Sequence, residues 1–167
     1  LRDFEFDVVL ASQHGVDGLE DYYWVNMALE DEKKLFDDYF DTLLRLVHWN
    51  GFDVLAHLTY PVRYYFRDNR RLPDLTPYED KIDAVLRILA YNGKALEINL
   101  SGLAKEMNTS MPDLFILKRF KALGGEKITI GTDDHNAETI KYLPERGLVL
   151  AYEAGFRHFT VYDKRIP

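Results

Sequence analysis

Short apolar runs alternate with longer stretches of helical spacing along the whole chain. The runs are Phe6 to Ser12, Asp53 to Leu58, Ala95 to Leu100, Ile128 to Asp133 and His158 to Asp163. Each is about six residues long and rich in Val, Ile, Leu and Thr, which suits buried strands. Between Glu30 and Trp49, residues Phe36, Phe40, Leu43 and Val47 recur at helical spacing and line one face. Thr76-Pro77-Tyr78-Glu79 reads as a capping box with Pro at the first helical position, followed by a stripe of Ile82, Val85, Leu86 and Leu89 that stops near Gly93. Ser110-Met111-Pro112-Asp113 repeats the start signal, Phe115 to Phe120 carry the apolar face, and Gly124-Gly125 ends it. A last helix is expected over Glu145 to Ala154, stopped by Gly155. The segment between Leu58 and Thr76 reads as a long loop. The order βαβαβαβαβ predicts a mostly parallel sheet, open or as part of a barrel.

Composition narrows the chemistry. The 167 residues suit one domain, and no apolar run approaches the roughly 18 residues that span a bilayer. With 21 Lys+Arg against 28 Asp+Glu the net charge is −7, which argues against a nucleic-acid partner. The absence of cysteine removes disulfides, thiolate nucleophiles and Cys-type metal sites, so a metal must be held by His, Asp or Glu. The chain opens Leu1-Arg2-Asp3 with no initiator Met and no apolar targeting segment, so it is expected to be an excerpt; a cytoplasmic location is expected, with a signal peptide in the missing part left open.

Residues two apart on a strand share a face, and in parallel α/β folds the site sits at the C-terminal ends of the strands. Ser12 and His14 close the first run, His57 and Thr59 the second, and Asp133 and His135 the fourth. Glu97, Asn99 and Ser101 share one face of the third, and Leu96, Ile98 and Leu100 take the other. Three imidazoles and two carboxylates are thus expected at one mouth, a set that suits a divalent metal. Taken singly, each has a plainer role: a lone His is commonly a hydrogen-bonded structural residue, Asp133 could cap the segment after it, and Glu97 could brace a loop. Arg63, six residues after His57, is expected on the loop that overhangs the mouth. The aromatic cluster at Tyr60, Tyr64, Tyr65 and Phe66 reads as packing, and Arg67, Arg70 and Arg71 read as a solvated face. There is no G-x-S-x-G elbow, P-loop, H-E-x-x-H or G-x-G-x-x-G.

The blocks FDVVLASQHGVDG, DVLAHLTYPVRYY, ALEINLSG and ITIGTDDH, with the trailing GFRHFTVYDKRIP, resemble the polymerase and histidinol phosphatase (PHP) superfamily, in its histidinol-phosphate phosphatase branch. The resemblance implies a distorted (β/α)7 TIM-like barrel, present here in part and lacking its N-terminal strands, so that residues 1–167 form one N-terminally truncated domain. It implies two or three divalent metal ions (zinc, manganese or iron) and hydrolysis of a small phosphorylated substrate, histidinol phosphate, in histidine biosynthesis. His14, His57, Asp133 and His135 match metal ligands, with Asp133 and His135 also the candidates for protonating the leaving group. Arg63 matches a substrate-phosphate contact, and Glu97 and Asn99 match a motif that supports the ligands from behind or faces substrate, rather than one that binds metal. Gln13, Thr59 and Asp134 depart from the family pattern, as does the absence of the opening H-x-H motif and the Glu that follows it. This chain is therefore expected to be inactive alone. Two alternatives stay open: another phosphoesterase of the same superfamily, acting on nucleotides, sugars or phosphoprotein, and a non-catalytic binding module.

Overall fold

The computed structural model describes residues 4–16, 20–103, 106–134 and 143–167. Four parallel strands form one sheet in the order β1-β2-β3-β4: β1 Leu10–Ala11, β2 Val54–Leu55, β3 Ala95–Asn99 and β4 Ile128–Gly131. Leu10 pairs with Val54, Val54 with Ala95, and Leu96 with Ile128. In-register partners share a face, so Ala11, Leu55, Leu96, Ile98 and Ile128 enter the core with the helices. Leu10, Val54, Glu97, Asn99, Thr129 and Gly131 take the other face. That face borders an apolar groove of about 600 Å³ whose wall includes Leu10, Val54, Glu97 and Val161.

The helices follow the predicted stripes. α1 (Glu32–Trp49) starts at Asp31, whose Oδ1 accepts from the Lys34 N–H at 2.8 Å, and stops at Asn50 in the left-handed region. Its residues Phe36, Phe40, Leu43 and Val47 are buried. α3 (Glu79–Tyr91) buries Ile82, Val85, Leu86 and Leu89 and packs on α1, with Lys81 reaching Asp37 and Asp41 at 3.0 and 2.7 Å. α4 (Leu114–Ala122) is capped by Asp113 and buries Ile116, Leu117 and Phe120, whereas Phe115, expected on the apolar face, points to solvent; α5 (Leu143–Glu153) closes the order.

Three expectations are corrected. The stretch read as a loop contains α2, Tyr60–Asn69, with Pro61 in its first turn. It is short and buried at Tyr60, Pro61, Val62, Tyr64 and Tyr65, and an early Pro with a run of aromatic residues of modest helix propensity hid it in the sequence. The Thr76 capping box does not form: residues Thr76–Tyr78 make a 3₁₀ turn, and Asp74 accepts from the Thr76 N–H at 3.0 Å instead. Residues 158–163 are not a fifth strand of the sheet. Thr160 N–H donates to the Ile128 carbonyl at 2.7 Å, after which the tail crosses the N-terminal ends of the strands.

That crossing is fastened at Asp53, just before β2. Arg165 donates to both Asp53 oxygens at 2.8 and 2.9 Å, Val9 N–H donates to the same carboxylate, and Tyr162 OH donates to the Asp53 carbonyl. Burial works to raise the Asp53 pKa, but the Arg165 guanidinium and the Val9 amide outweigh it and hold it below the ordinary carboxylate range. A carboxyl depressed in the fold contributes stability above its unfolded pKa and loses it as pH falls through the folded one. Arg165→Ala is therefore expected to cost about 1–2 kcal/mol at pH 7, toward the low end for bonds to charged groups because the guanidinium is partly solvated. The difference from wild type should begin to shrink as pH falls below about 4, where the unfolded carboxyl takes up a proton, and should vanish only below the depressed pKa of the folded one. Urea unfolding at pH 7 and pH 3 checks both; a difference that persists unchanged at pH 3 would remove the ion pair as its source.

Candidate metal and phosphate site

The C-terminal ends of the strands carry the site. β2 is followed by Ala56-His57, and His57 has φ 29°, a left-handed value that a non-glycine residue adopts only when its surroundings hold it there. Its backbone N–H donates to Glu97 Oε2 at 2.8 Å. Glu97 is buried on the non-core face of β3 and accepts also from Asn99 Nδ2 at 3.1 Å. Burial pushes the Glu97 carboxyl up from its ordinary range. Gly131 on β4 lies directly against it, and a Cβ there would overlap Glu97 Oε1. Asn99 Oδ1 in turn accepts from the Ser101 hydroxyl at 2.7 Å and the Ser101 N–H at 3.1 Å.

β4 ends two residues before Asp133, which also sits in the left-handed region, with φ 51°. Both backbone turns hook a side chain back over the sheet. Asp133 Oδ2 accepts from Arg63 Nη1 at 2.8 Å, and the same Nη1 reaches Ser101 Oγ at 3.0 Å. Arg63 projects from the second half of the first turn of α2, not from a loop, and its partner is the site's own aspartate. The guanidinium packs against a pair of edge-to-face rings, 5.0 Å from the centroids of Tyr60 and Tyr64. Burial works against its charge, but Tyr64 and Asp133 overcome that and hold its pKa above the ordinary value.

His14 follows β1 and brings its Nε2 to 3.3 Å from His57 Nε2. The contact is at hydrogen-bond distance, and it also matches a shared ion, since two nitrogens each roughly 2.0–2.1 Å from one tetrahedral ion stand about 3.3–3.4 Å apart. Burial, reinforced by the neighbouring His14, pulls the His57 pKa down to about 4, which keeps the imidazole neutral near pH 7 and its lone pair available. His57 Nδ1 is buried without a hydrogen-bond partner. Among the described residues no group of three His, Asp or Glu side chains forms a complete ligand set. Asp133 is turned toward Arg63, and His135 lies outside the described residues. The donor chemistry fits a divalent ion at the imidazole pair, with Asp133 within electrostatic reach of His57.

Six predicted residues thus come together: His14, His57, Glu97, Asn99, Arg63 and Asp133. Thr59 does not join them; it is buried and lines a separate cavity of about 380 Å³ beside Val62, Ile82 and Ile116. Two contributors had no sequence signal. Asp21 accepts from Tyr60 OH at 3.0 Å and lies 3.2 Å from His14 Nδ1, and Tyr60 stacks on the His14 ring at 4.5 Å. The other expected roles differ in detail: Arg67 holds Asp68 and the Tyr23 and Val25 carbonyls, and Arg71 pairs with Glu32, so this stretch staples α2 to its surroundings.

Fold and site define a parallel α/β protein with an imidazole pair, a buried carboxylate and an arginine–aspartate pair at the C-terminal strand ends. No family model matches the chain. Sequence comparison nevertheless pairs it with histidinol-phosphatases along nearly its whole length. It is 36% identical over 150 residues to "Probable histidinol-phosphatase" of Thermotoga maritima, covering 87% of this chain and 61% of that protein. It is 31% identical over 166 residues to the protein of the same name from Clostridium acetobutylicum, covering 98% and 63%. The chain thus spans about three-fifths of these curated relatives. Its fold superposes on the crystal structure of histidinol phosphate phosphatase from Lactococcus lactis, a complex with zinc, L-histidinol and phosphate. The TM-score is 0.75 at 23% identity, over 98% of this chain and 62% of that one. The chain is similar to histidinol-phosphatases over about three-fifths of their length. No helix among the described residues is long and apolar enough to cross a membrane.

Proposed function

We propose that this chain supplies part of the active site of a metal-dependent phosphatase that hydrolyses histidinol phosphate to histidinol. The observation that carries the reading is the facing His14–His57 pair beside the Arg63–Asp133 ion pair, in a chain that matches histidinol-phosphatases from end to end. The open face of the sheet and the share of the relatives' length that is matched support a further reading: residues 1–167 are part of one distorted (β/α)7 barrel, with the remaining ligands elsewhere in the full-length protein. His14, His57, Asp133 and His135 would hold the ions. Zinc, manganese and iron all suit imidazole and carboxylate donors.

A phosphate monoester and hydroxide are both negative, so the site must offset charge and provide a nucleophile near neutral pH. A bound divalent ion supplies both, by acidifying water and screening the phosphoryl oxygens. This chain's residues do the rest. Arg63 offers a planar fork that matches two phosphate oxygens, and the Tyr60 and Tyr64 rings hold it in place. To bind substrate it exchanges its Asp133 contact for phosphate, which frees Asp133 to face a cation. Glu97 holds the His57 backbone turn, and Asn99 and Ser101 extend that bracing to Arg63. The departing alkoxide takes its proton from the Asp133–His135 end of the site.

The test is a phosphate-release assay on the full-length protein with histidinol phosphate and a panel of nucleotide, sugar and phosphopeptide monoesters. Histidinol phosphate is expected to give the highest kcat/KM, with activity lost to a chelator and restored by zinc, manganese or iron. A higher kcat/KM for another monoester would overturn the substrate assignment. Activity that survives complete removal of metal would overturn the mechanism.

A further inference from the structure

The residues around His14 form a chain of hydrogen bonds whose proton directions can be deduced. A carboxylate only accepts, so Tyr60 OH must donate to Asp21 Oδ1, at 3.0 Å. A phenol has one proton, so the 2.9 Å contact between Tyr60 OH and Tyr64 OH must be donated by Tyr64. A guanidinium only donates, and Arg63 Nη2 gives its proton to Tyr64 OH at 3.0 Å. At the far end, Asp21 Oδ2 stands 3.2 Å from His14 Nδ1, an ion-pair distance at which a proton on that nitrogen is favoured over a lone pair facing the carboxylate. The hydrogen bonds run one way, from Arg63 to Tyr64 to Tyr60 to Asp21, and the same carboxylate stands at ion-pair distance from His14 Nδ1.

The geometry points to Asp21 and Tyr60 as positioning residues for His14. Asp21 fixes the tautomer with the proton on Nδ1, which leaves the lone pair on Nε2, the atom that faces His57 Nε2 at 3.3 Å. Tyr60 fixes the ring plane by stacking on it at 4.5 Å and 10°. His14 needs this support because it follows the two-residue edge strand β1 and its side chain is 48% exposed, whereas His57 is buried. Tyr60 is buried and so is an anchored platform for an otherwise exposed ring. Outer partners of this kind raise ligand basicity and hold orientation, and their loss costs about 10–100-fold in metal affinity. The same chain links the phosphate-binding candidate Arg63 to a metal-binding candidate through three side chains. The inference rests on the proposed role of His14 as a metal ligand.

The experiment measures zinc affinity of the full-length protein by chelator competition, together with the His14 tautomer in metal-free protein by long-range ¹H–¹⁵N NMR. Asp21→Asn is expected to weaken zinc binding about 10–100-fold and to shift the tautomer from Nδ1–H. Asp21→Glu should recover part of the loss. Tyr60→Phe keeps the stacked ring and removes the hydroxyl, so a several-fold loss is expected, with circular dichroism unchanged. Unchanged zinc affinity in Asp21→Asn or, if that variant does not fold, in Tyr60→Phe overturns the positioning role, provided His14→Ala lowers affinity. A wild-type His14 protonated on Nε2 overturns it as well. If His14→Ala leaves zinc affinity unchanged, the metal-ligand reading of His14 fails, and the positioning role falls with it.

Discussion

Asp133→Asn in the full-length protein is expected to lower kcat/KM for histidinol phosphate by about 10²–10³-fold, the range for removing one preorganised electrostatic partner. Bound metal, measured by elemental analysis, should fall with it. Asn is isosteric and is among the residues that tolerate the left-handed region, so the φ of 51° can be kept and the substitution removes charge alone. Three groups feel that loss. Arg63 loses its anionic partner at 2.8 Å, His57 loses a carboxylate that favours positive charge beside it, and any bound cation loses a neutralising ligand. Thermal unfolding of the variant should stay close to wild type, because the pair is partly exposed and contributes little to stability. Normal metal content together with a normal rate would remove Asp133 from the site.

Arg63→Ala tests the other side of the same pair. A charge-assisted bond to a partly buried anion is worth about 1.5–3 kcal/mol, which converts to a loss of roughly 10- to 150-fold in kcat/KM. Inhibition by inorganic phosphate should weaken in parallel, since phosphate offers the same oxygens. Arg63→Lys should recover only part, because an ammonium keeps the charge but not the fork that reaches Asp133, Ser101 and Tyr64 together. Metal content should hold in both variants. If Arg63 served only to restrain Asp133, the phosphate inhibition constant would not change, and that outcome would end the phosphate role.

These two residues also mark where sequence reading reached and where it stopped. Asp133 was legible because it closes a short apolar run, and alternation along Ala95–Asn99 put Glu97 and Asn99 on one face as observed. Arg63 was legible as a residue type near the mouth but not in its setting. Its helix, α2, is short, has Pro61 in its first turn and is rich in aromatic residues of modest helix propensity, so propensity did not announce it. The tail shows the opposite error. Residues 158–163 alternate like a strand, but Arg165 and Tyr162 tie them across the strand ends at Asp53, and a local pattern does not report a partner 112 residues away. Asp21 carried no signal at all: it stands beside His14 in space through contacts with Tyr60 on another element.

By itself the sequence determined the parallel α/β order, the buried stripes of α1 and α3, and the face of β3 that carries polar groups. Each follows from a backbone period of 3.6 or 2 acting on neighbouring residues. Only the tertiary structure decided that His57 and Asp133 turn into the left-handed region, that His14 meets His57, and that Arg63 reaches Ser101 and Asp133, 38 and 70 residues away. These are distances between side chains on separate elements. They are set by how the helices pack on the sheet and by which buried polar atoms must find partners, and no local period encodes either.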